Sequence, residues 1–248
     1  MTASGFERME KRDMHTKLVR TALVGAALAV GVPAALTVGA TVAGAHTPKP
    51  PKLPNSAVAG FENSTPGSPA SVSTTLVVPA ATCSSASSGL NSGVTIWDSP
   101  SPPVSSVAQS PAGAELQIQC LKGSLIEFVS ASAGLASFRF PVNAGDSVNL
   151  SASQSGGTAT ASATDTTTAT TESASSAASG TPALEVLGAT NGGTTLPVII
   201  GGSIGFSAAS FDGTTLSDAA VPINMVRKNT TVLTTSASSS GAFTITQP

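Results

Sequence analysis

From Val72 to the C-terminus, apolar and polar residues alternate with a period of two, in short runs broken by Gly, Ser, Asn and Asp, and no stretch holds a period of 3.6. The pattern predicts strands over residues 72–78, 93–97, 114–120, 124–130, 136–140, 147–154, 158–164, 169–174, 183–187, 198–206, 221–226, 231–235 and 242–246. Turns are expected at Lys122-Gly123, Ala133-Gly134, Asn143 to Asp146, Gly156-Gly157, Gly213 and Gly241. Many short strands over roughly 180 residues define an all-β class, a two-sheet antiparallel β-sandwich. Residues 158–174 are poor in large side chains and admit two readings, a low-complexity tract or a Thr-rich hairpin turning at Asp165-Thr166. The persistent Thr/Ala alternation favours the hairpin.

The strand over residues 114–120 organises the rest. Glu115, Gln117 and Gln119 fall on one face, and Leu116, Ile118 and Cys120 on the other. The first face is expected to be wet and the second to enter the core.

Composition narrows the setting. The 248 residues are 40% hydrophobic and only 10% charged, where soluble domains carry about a quarter charged residues. A net charge of −2 gives no basic footprint for nucleic acid. Lys17 and Arg20 precede an Ala/Val/Leu/Gly run broken by Pro33 and closed by Ala43-Gly44-Ala45, so residues 1–45 read as an export segment cleaved before His46. The competing reading is an uncleaved anchor, because residues 18–45 are long enough to span a bilayer. Glu7, Glu10 and Asp13 are unusual in the leading region of such a segment, and translation from Met14 would remove them. Residues 46–71 carry Pro48, Pro50, Pro51, Pro54, Pro66 and Pro69 and are expected to be a linker. The sandwich is expected over residues 72–248. The exported chain is mildly acidic, secreted or held near the cell wall, with no stable membrane span after processing. Its two cysteines, Cys83 and Cys120, form an even pair and are expected to be disulfide-bonded.

Chemistry is constrained by elimination. Past the export segment, His46 is the single histidine, which removes Ser-His-Asp and Cys-His catalysis and any His-based zinc site. Gly156-Gly157, Gly192-Gly193 and Gly201-Gly202 lack the Lys-Ser or Lys-Thr ending of a phosphate loop. No metal or organic cofactor is implied. The remaining acid/base candidates are Asp98, Glu115, Glu127, Asp146, Glu172, Glu185, Asp212 and Asp218. Asp146, Asp212 and Asp218 stand in turn contexts and read as structural.

Several stretches together resemble the glutamic peptidases, or eqolisins, which are exported acid proteases. They are Leu76-Val77-Val78-Pro79, Ala114 to Gln117, Ala144 to Val148 followed by Ser155 to Thr160, and Leu196-Pro197 running through Ile204-Gly205-Phe206. Ile223 to Val226 and Phe243 to Thr246 are also similar to exported bacterial relatives. The resemblance implies a lectin-like sandwich in which a Gln amide stabilises an oxyanion and a Glu carboxylate activates water. By match, Gln117 is that Gln. The family's Ala-Glu-Trp stretch corresponds to Ala183-Leu184-Glu185, with Leu where the catalytic Glu belongs and Glu one residue late. A one-residue offset turns a strand side chain to the opposite face, so Glu185 reaches the cleft only through a bulge or a shifted register. Ile118-Gln119 also replaces the family's Thr-Gly, and the chain has one Trp and no Tyr to line a peptide groove.

Two functions follow as expectations. The first is an extracellular binding or structural module of eqolisin type, weakly catalytic or non-catalytic, with a polypeptide or a cell-surface glycan as partner. The second is an active acid endopeptidase, with Gln117 as oxyanion donor and Glu185 as general base.

Overall fold

The computed structural model describes residues 53–55, 58–83, 88–98, 111–190, 203–227, 230–235 and 237–246, all in the unit Thr47–Pro248. The expected export segment lies outside these residues, as do His46, Leu196, Pro197 and the glycine pairs 192–193 and 201–202. Among the described residues no helix is long and apolar enough to cross a membrane.

The described residues form sixteen strands. The first eight are β1 (Leu53–Asn55), β2 (Val58–Asn63), β3 (Ala70–Val77), β4 (Ser88–Trp97), β5 (Ala112–Leu121), β6 (Ser124–Ala133), β7 (Ala136–Pro141) and β8 (Ser147–Ser155). They are followed by β9 (Thr158–Asp165), β10 (Thr170–Ala177), β11 (Leu184–Thr190), β12 (Ser203–Phe211), β13 (Thr214–Thr215), β14 (Ile223–Arg227), β15 (Thr230–Thr234) and β16 (Phe243–Thr246). One sheet runs β10-β9-β8-β3-β12-β16, and the other β14-β2-β11-β4-β5-β6-β7. β15 passes from one to the other, pairing with β14 through Thr230–Val232 and with β16 through Leu233 and Thr234. Apart from β1, which runs parallel to β14, the pairings are antiparallel, so the two-sheet sandwich read from the pattern is the fold.

Alternation explains the core. β8 and β9 bury every second residue, Val148, Leu150 and Ala152 on one strand and Ala159, Ala161 and Ala163 on the next. The Thr-rich segment is therefore the hairpin β9–β10. Its turn is held by Asp165, which accepts hydrogen bonds from Thr167 N at 2.8 Å and Thr168 Oγ1 at 2.7 Å. Across the sandwich, Phe243 stacks on Phe206 at 4.4 Å and meets Phe61 edge-on at 4.9 Å, joining the sheets with three of the chain's few aromatic rings.

One boundary differs from expectation. β1 and β2 fall inside the stretch assigned to a linker, and β2 sits between β14 and β11 with Val58, Ala59 and Phe61 buried. The prolines flank this strand instead of entering it, so the short apolar run Val58 to Phe61 keeps its ladder donors. The disulfide Cys83–Cys120 is present, with Cα atoms 5.5 Å apart, and ties the chain after β3 to the end of β5 in the opposite sheet.

Candidate functional site

Cross-strand partners in an antiparallel ladder share a face, so the register assigns each side chain a side. Across β2, β11, β4 and β5 the rows Ala59-Ala189-Ser92-Leu116 and Phe61-Leu187-Val94-Ala114 point into the sandwich core. The interleaved residues, Val58 on β2, the pair Asn91-Gln117 on β4 and β5, and the row Gly60-Gly188-Gly93-Glu115, occupy the other face of the same sheet. Gln117 is therefore on the side its alternation assigns, away from the core.

That side is not simply wet. Glu115 is 1% exposed, and Ser130 and Ser132 opposite β5 are also buried, while Gln117 and Gln119 are half-buried. Val58, Trp97, Leu184 and Val186 form a second apolar cluster on this face, with Trp97 Nε1 donating to Thr95 Oγ1 at 3.0 Å. Alternation fixes where side chains point; this second cluster makes the outer face a packed one. The expectation that Glu115 is solvated is corrected accordingly.

The glycine row shapes the floor beside Glu115. A Cβ on Gly93 would fall on the Ala114 carbonyl, and one on Gly188 on the Ala59 carbonyl. Gly188 also has a φ of 149°, which side-chain-bearing residues rarely adopt. β2 and β11, and β4 and β5, approach one another closely here because nothing projects between them.

The polar contacts on this face centre on Gln117. Its Nε2 donates to Glu115 Oε2 at 3.2 Å and to Ser130 Oγ at 3.3 Å. Burial pushes the Glu115 carboxyl up to about 8, against which the Gln117 hydrogen bond works only weakly. At neutral pH Glu115 is thus a neutral acid, able to donate as well as accept.

Glu185 is elsewhere. β11 runs against β4 in unbroken register from Leu184↔Trp97 to Thr190↔Asn91, without a bulge, and Glu185 pairs with Ile96 and with Asn63. Its row therefore belongs to the core face, opposite to Gln117, and Leu184 is the residue on the Gln117 face. The pairing of Gln117 with Glu185 that the resemblance implies is not formed, because strand periodicity turns the late Glu inward and no irregularity reverses it. Glu185 is 0% exposed at the rim between the sheets, where Asn63 Nδ2 donates to its Oε2 at 2.8 Å.

The residues that gather around each carboxyl had different legibility. Glu115 is visible in the sequence as a strand carboxylate. Asn63 lies in the stretch read as linker, Asp212 reads as a turn residue, and Ser130 carries no signal of its own. Among the described residues no group of three or more His, Cys, Asp and Glu side chains is placed to hold a metal ion.

No protein-family model matches the chain, and neither does any curated protein sequence. Among solved structures it is similar to scytalido-glutamic peptidase with a transition state analog inhibitor, at a TM-score of 0.54 and 19% identity over 78% of this chain and 99% of that one. A second structure of scytalido-glutamic peptidase, with a peptide-based transition state analog, gives a TM-score of 0.52 and 16% identity over 78% of this chain and 99% of that one. SCP-B, a member of the eqolisin family solved with the tripeptide Ala-Ile-His, gives 0.48 and 16%. The two scytalido-glutamic peptidase comparisons define the class of fold: a β-sandwich of glutamic-peptidase type.

Proposed function

We propose that this chain is an exported eqolisin-like sandwich that binds a polypeptide or a cell-surface glycan and does not cleave it. The observation that carries the reading is the placement of Gln117 and Glu185 on opposite faces of one sheet, with Leu184 on the face of Gln117. An oxyanion donor and a general base must address the same water and the same carbonyl. Fold similarity alone supplies neither. The half-buried amides of Gln117, Gln119 and Asn91, which is registered with Gln117, offer hydrogen bonds for recognition on this face.

One observation favours the peptidase alternative: Glu115, not Glu185, lies within hydrogen-bonding distance of Gln117. Its near-complete burial argues against the attack of a water on a bound peptide there. Proteolysis of denatured casein at pH 3 to 7 separates the readings. The expected result is no cleavage above that of Gln117→Ala, together with retention on a cell-wall polysaccharide or peptide matrix that weakens in Gln117→Ala. Cleavage abolished by both Gln117→Ala and Glu185→Gln would overturn the binding reading in favour of the original pair, and cleavage abolished by Gln117→Ala and Glu115→Gln would assign the base to Glu115.

A further inference from the structure

The rim of the sandwich holds a second arrangement of carboxyls, on elements from both sheets. Asp212 follows β12 and takes a left-handed conformation, φ 51°. Its Oδ2 accepts from Gly67 N at 2.7 Å and its Oδ1 from Ser71 N at 3.0 Å, while Asp212 N donates to Ser71 O at 2.6 Å. Asn63, at the end of β2, turns one amide nitrogen to both carboxyls, donating to Glu185 Oε2 at 2.8 Å and to Asp212 Oδ2 at 3.3 Å. The shared amide nitrogen sets the two carboxyls side by side, and Asp212 acts on Glu185 electrostatically. Its Oε1 is buried with no hydrogen-bond donor among the described residues.

Two carboxylates in such contact repel each other, and a buried oxygen without a donor is costly. A single proton resolves both problems. Asp212 is served by the Gly67 and Ser71 N–H groups and an amide, whereas Glu185 has Asn63 and a lesser share of the same Ser71 N–H, so the shared proton belongs on Glu185 and its hydroxyl donates to Asp212.

We propose that Glu185, Asp212 and Asn63 form a proton-held clamp across the rim, joining β2 and β11 of one sheet to β3 and the end of β12 in the other, closed in acid and loosened when the proton leaves. The glutamate that the eqolisin resemblance sets one residue past the catalytic position is, on this account, a structural acid. The proposal is independent of whether the domain cleaves peptides. The charged groups around Glu185 are consistent with it. Glu62 on β2 is registered with Val186 and belongs to the opposite face, Asp98 follows β4 and lies against Gly180, and β3 carries no charged residue. Among the described residues Asp212 is the charged neighbour acting on Glu185; burial, opposed next by Asn63 and less by the Ser71 backbone and reinforced by Asp212, pushes Glu185 up to about 7.

The test is thermal unfolding of the full chain from pH 4 to 9 in a Glu115→Gln background, which removes the other buried acid. The unfolded chain loses the Glu185 proton near 4.5 and the folded chain near 7. Stability from the clamp is thus complete below the first value and is lost as pH rises through the second. The expected result is a fall in Tm of roughly 5 °C across that window. Glu185→Gln, whose amide donates at every pH, is expected to flatten it. An unchanged slope in Glu185→Gln overturns the proposal. A second measurement needs no variant to fold: the ¹³C chemical shift of the Glu185 side-chain carboxyl in the parent chain. A titration midpoint above 6 supports the clamp, and one near the ordinary carboxylate value overturns it.

Discussion

Gln117 donates a hydrogen bond to Glu115, two residues earlier on the same strand, across 3.2 Å on the face turned away from the sandwich core. This couples the amide that the eqolisin resemblance singles out to a buried acid that the resemblance leaves aside. The polar centre of the sheet is thereby a Gln–Glu pair within one strand, with Ser130 from β6 as its third member.

The first consequence concerns pH. The Glu115 carboxyl is raised to about 8 in the folded chain from an ordinary value of 4.5, chiefly by burial. Between those two values the folded state keeps a proton that the unfolded state has lost, so stability is greatest in acid and falls as pH rises toward 8. Glu115→Gln is expected to abolish this part of the decline and to stabilise the chain at pH 8 by an amount on the order of 2 kcal/mol. Urea unfolding of the parent and of Glu115→Gln at pH 5 and pH 8 measures it, and an equal decline in the two chains would show that Glu115 is solvated and ionised.

A second prediction addresses the glycine row. Gly93 is opposed by Glu115 on one side and Gly188 on the other, and a Cβ there would strike the Ala114 carbonyl, which is backbone and has no rotamer to yield. Gly93→Ala is expected to cost about 1 to 3 kcal/mol in chemical denaturation. Gly205→Ala serves as the control, because a Cβ there meets no atom within 4 Å. Equal costs at the two positions would mean that the close approach of β4 and β5 is not maintained in solution.

The third prediction concerns the disulfide. Cys83 and Cys120 are 37 residues apart and join opposite sheets, so the bond restricts the unfolded chain over a long loop. Replacing both by Ser is expected to cost about 3 to 4 kcal/mol. Comparing the midpoint of urea unfolding in the double variant with that of the parent checks this, and an unchanged midpoint would assign the bridge no part in stability.

Much of this molecule is legible in the chain. Alternation located most of the strands, and the Ala133-Gly134 turn closes the β6–β7 hairpin where the sequence places it. What escaped is non-local. β2 has the composition of a short apolar run between prolines, and only its fit between β14 and β11 makes it a central strand. Asn63, Asp212 and Glu185 are separated by 122 and 149 positions along the chain, and no local pattern brings them to one rim.

The order of residues along each strand sets the direction of each side chain. Successive residues of a strand must point to opposite faces, so Gln117 and Leu116 are parted and Glu185 is turned away from Leu184 by covalent geometry alone. Tertiary structure decided what each face meets. A second apolar cluster packs on the outer face of β4 and β11 and the neighbouring Glu115 is buried, while stacking of the sheets brings Asp212 to Glu185. Burial and charge proximity depend on which strands become neighbours, and that choice is made by the packing of the whole sandwich.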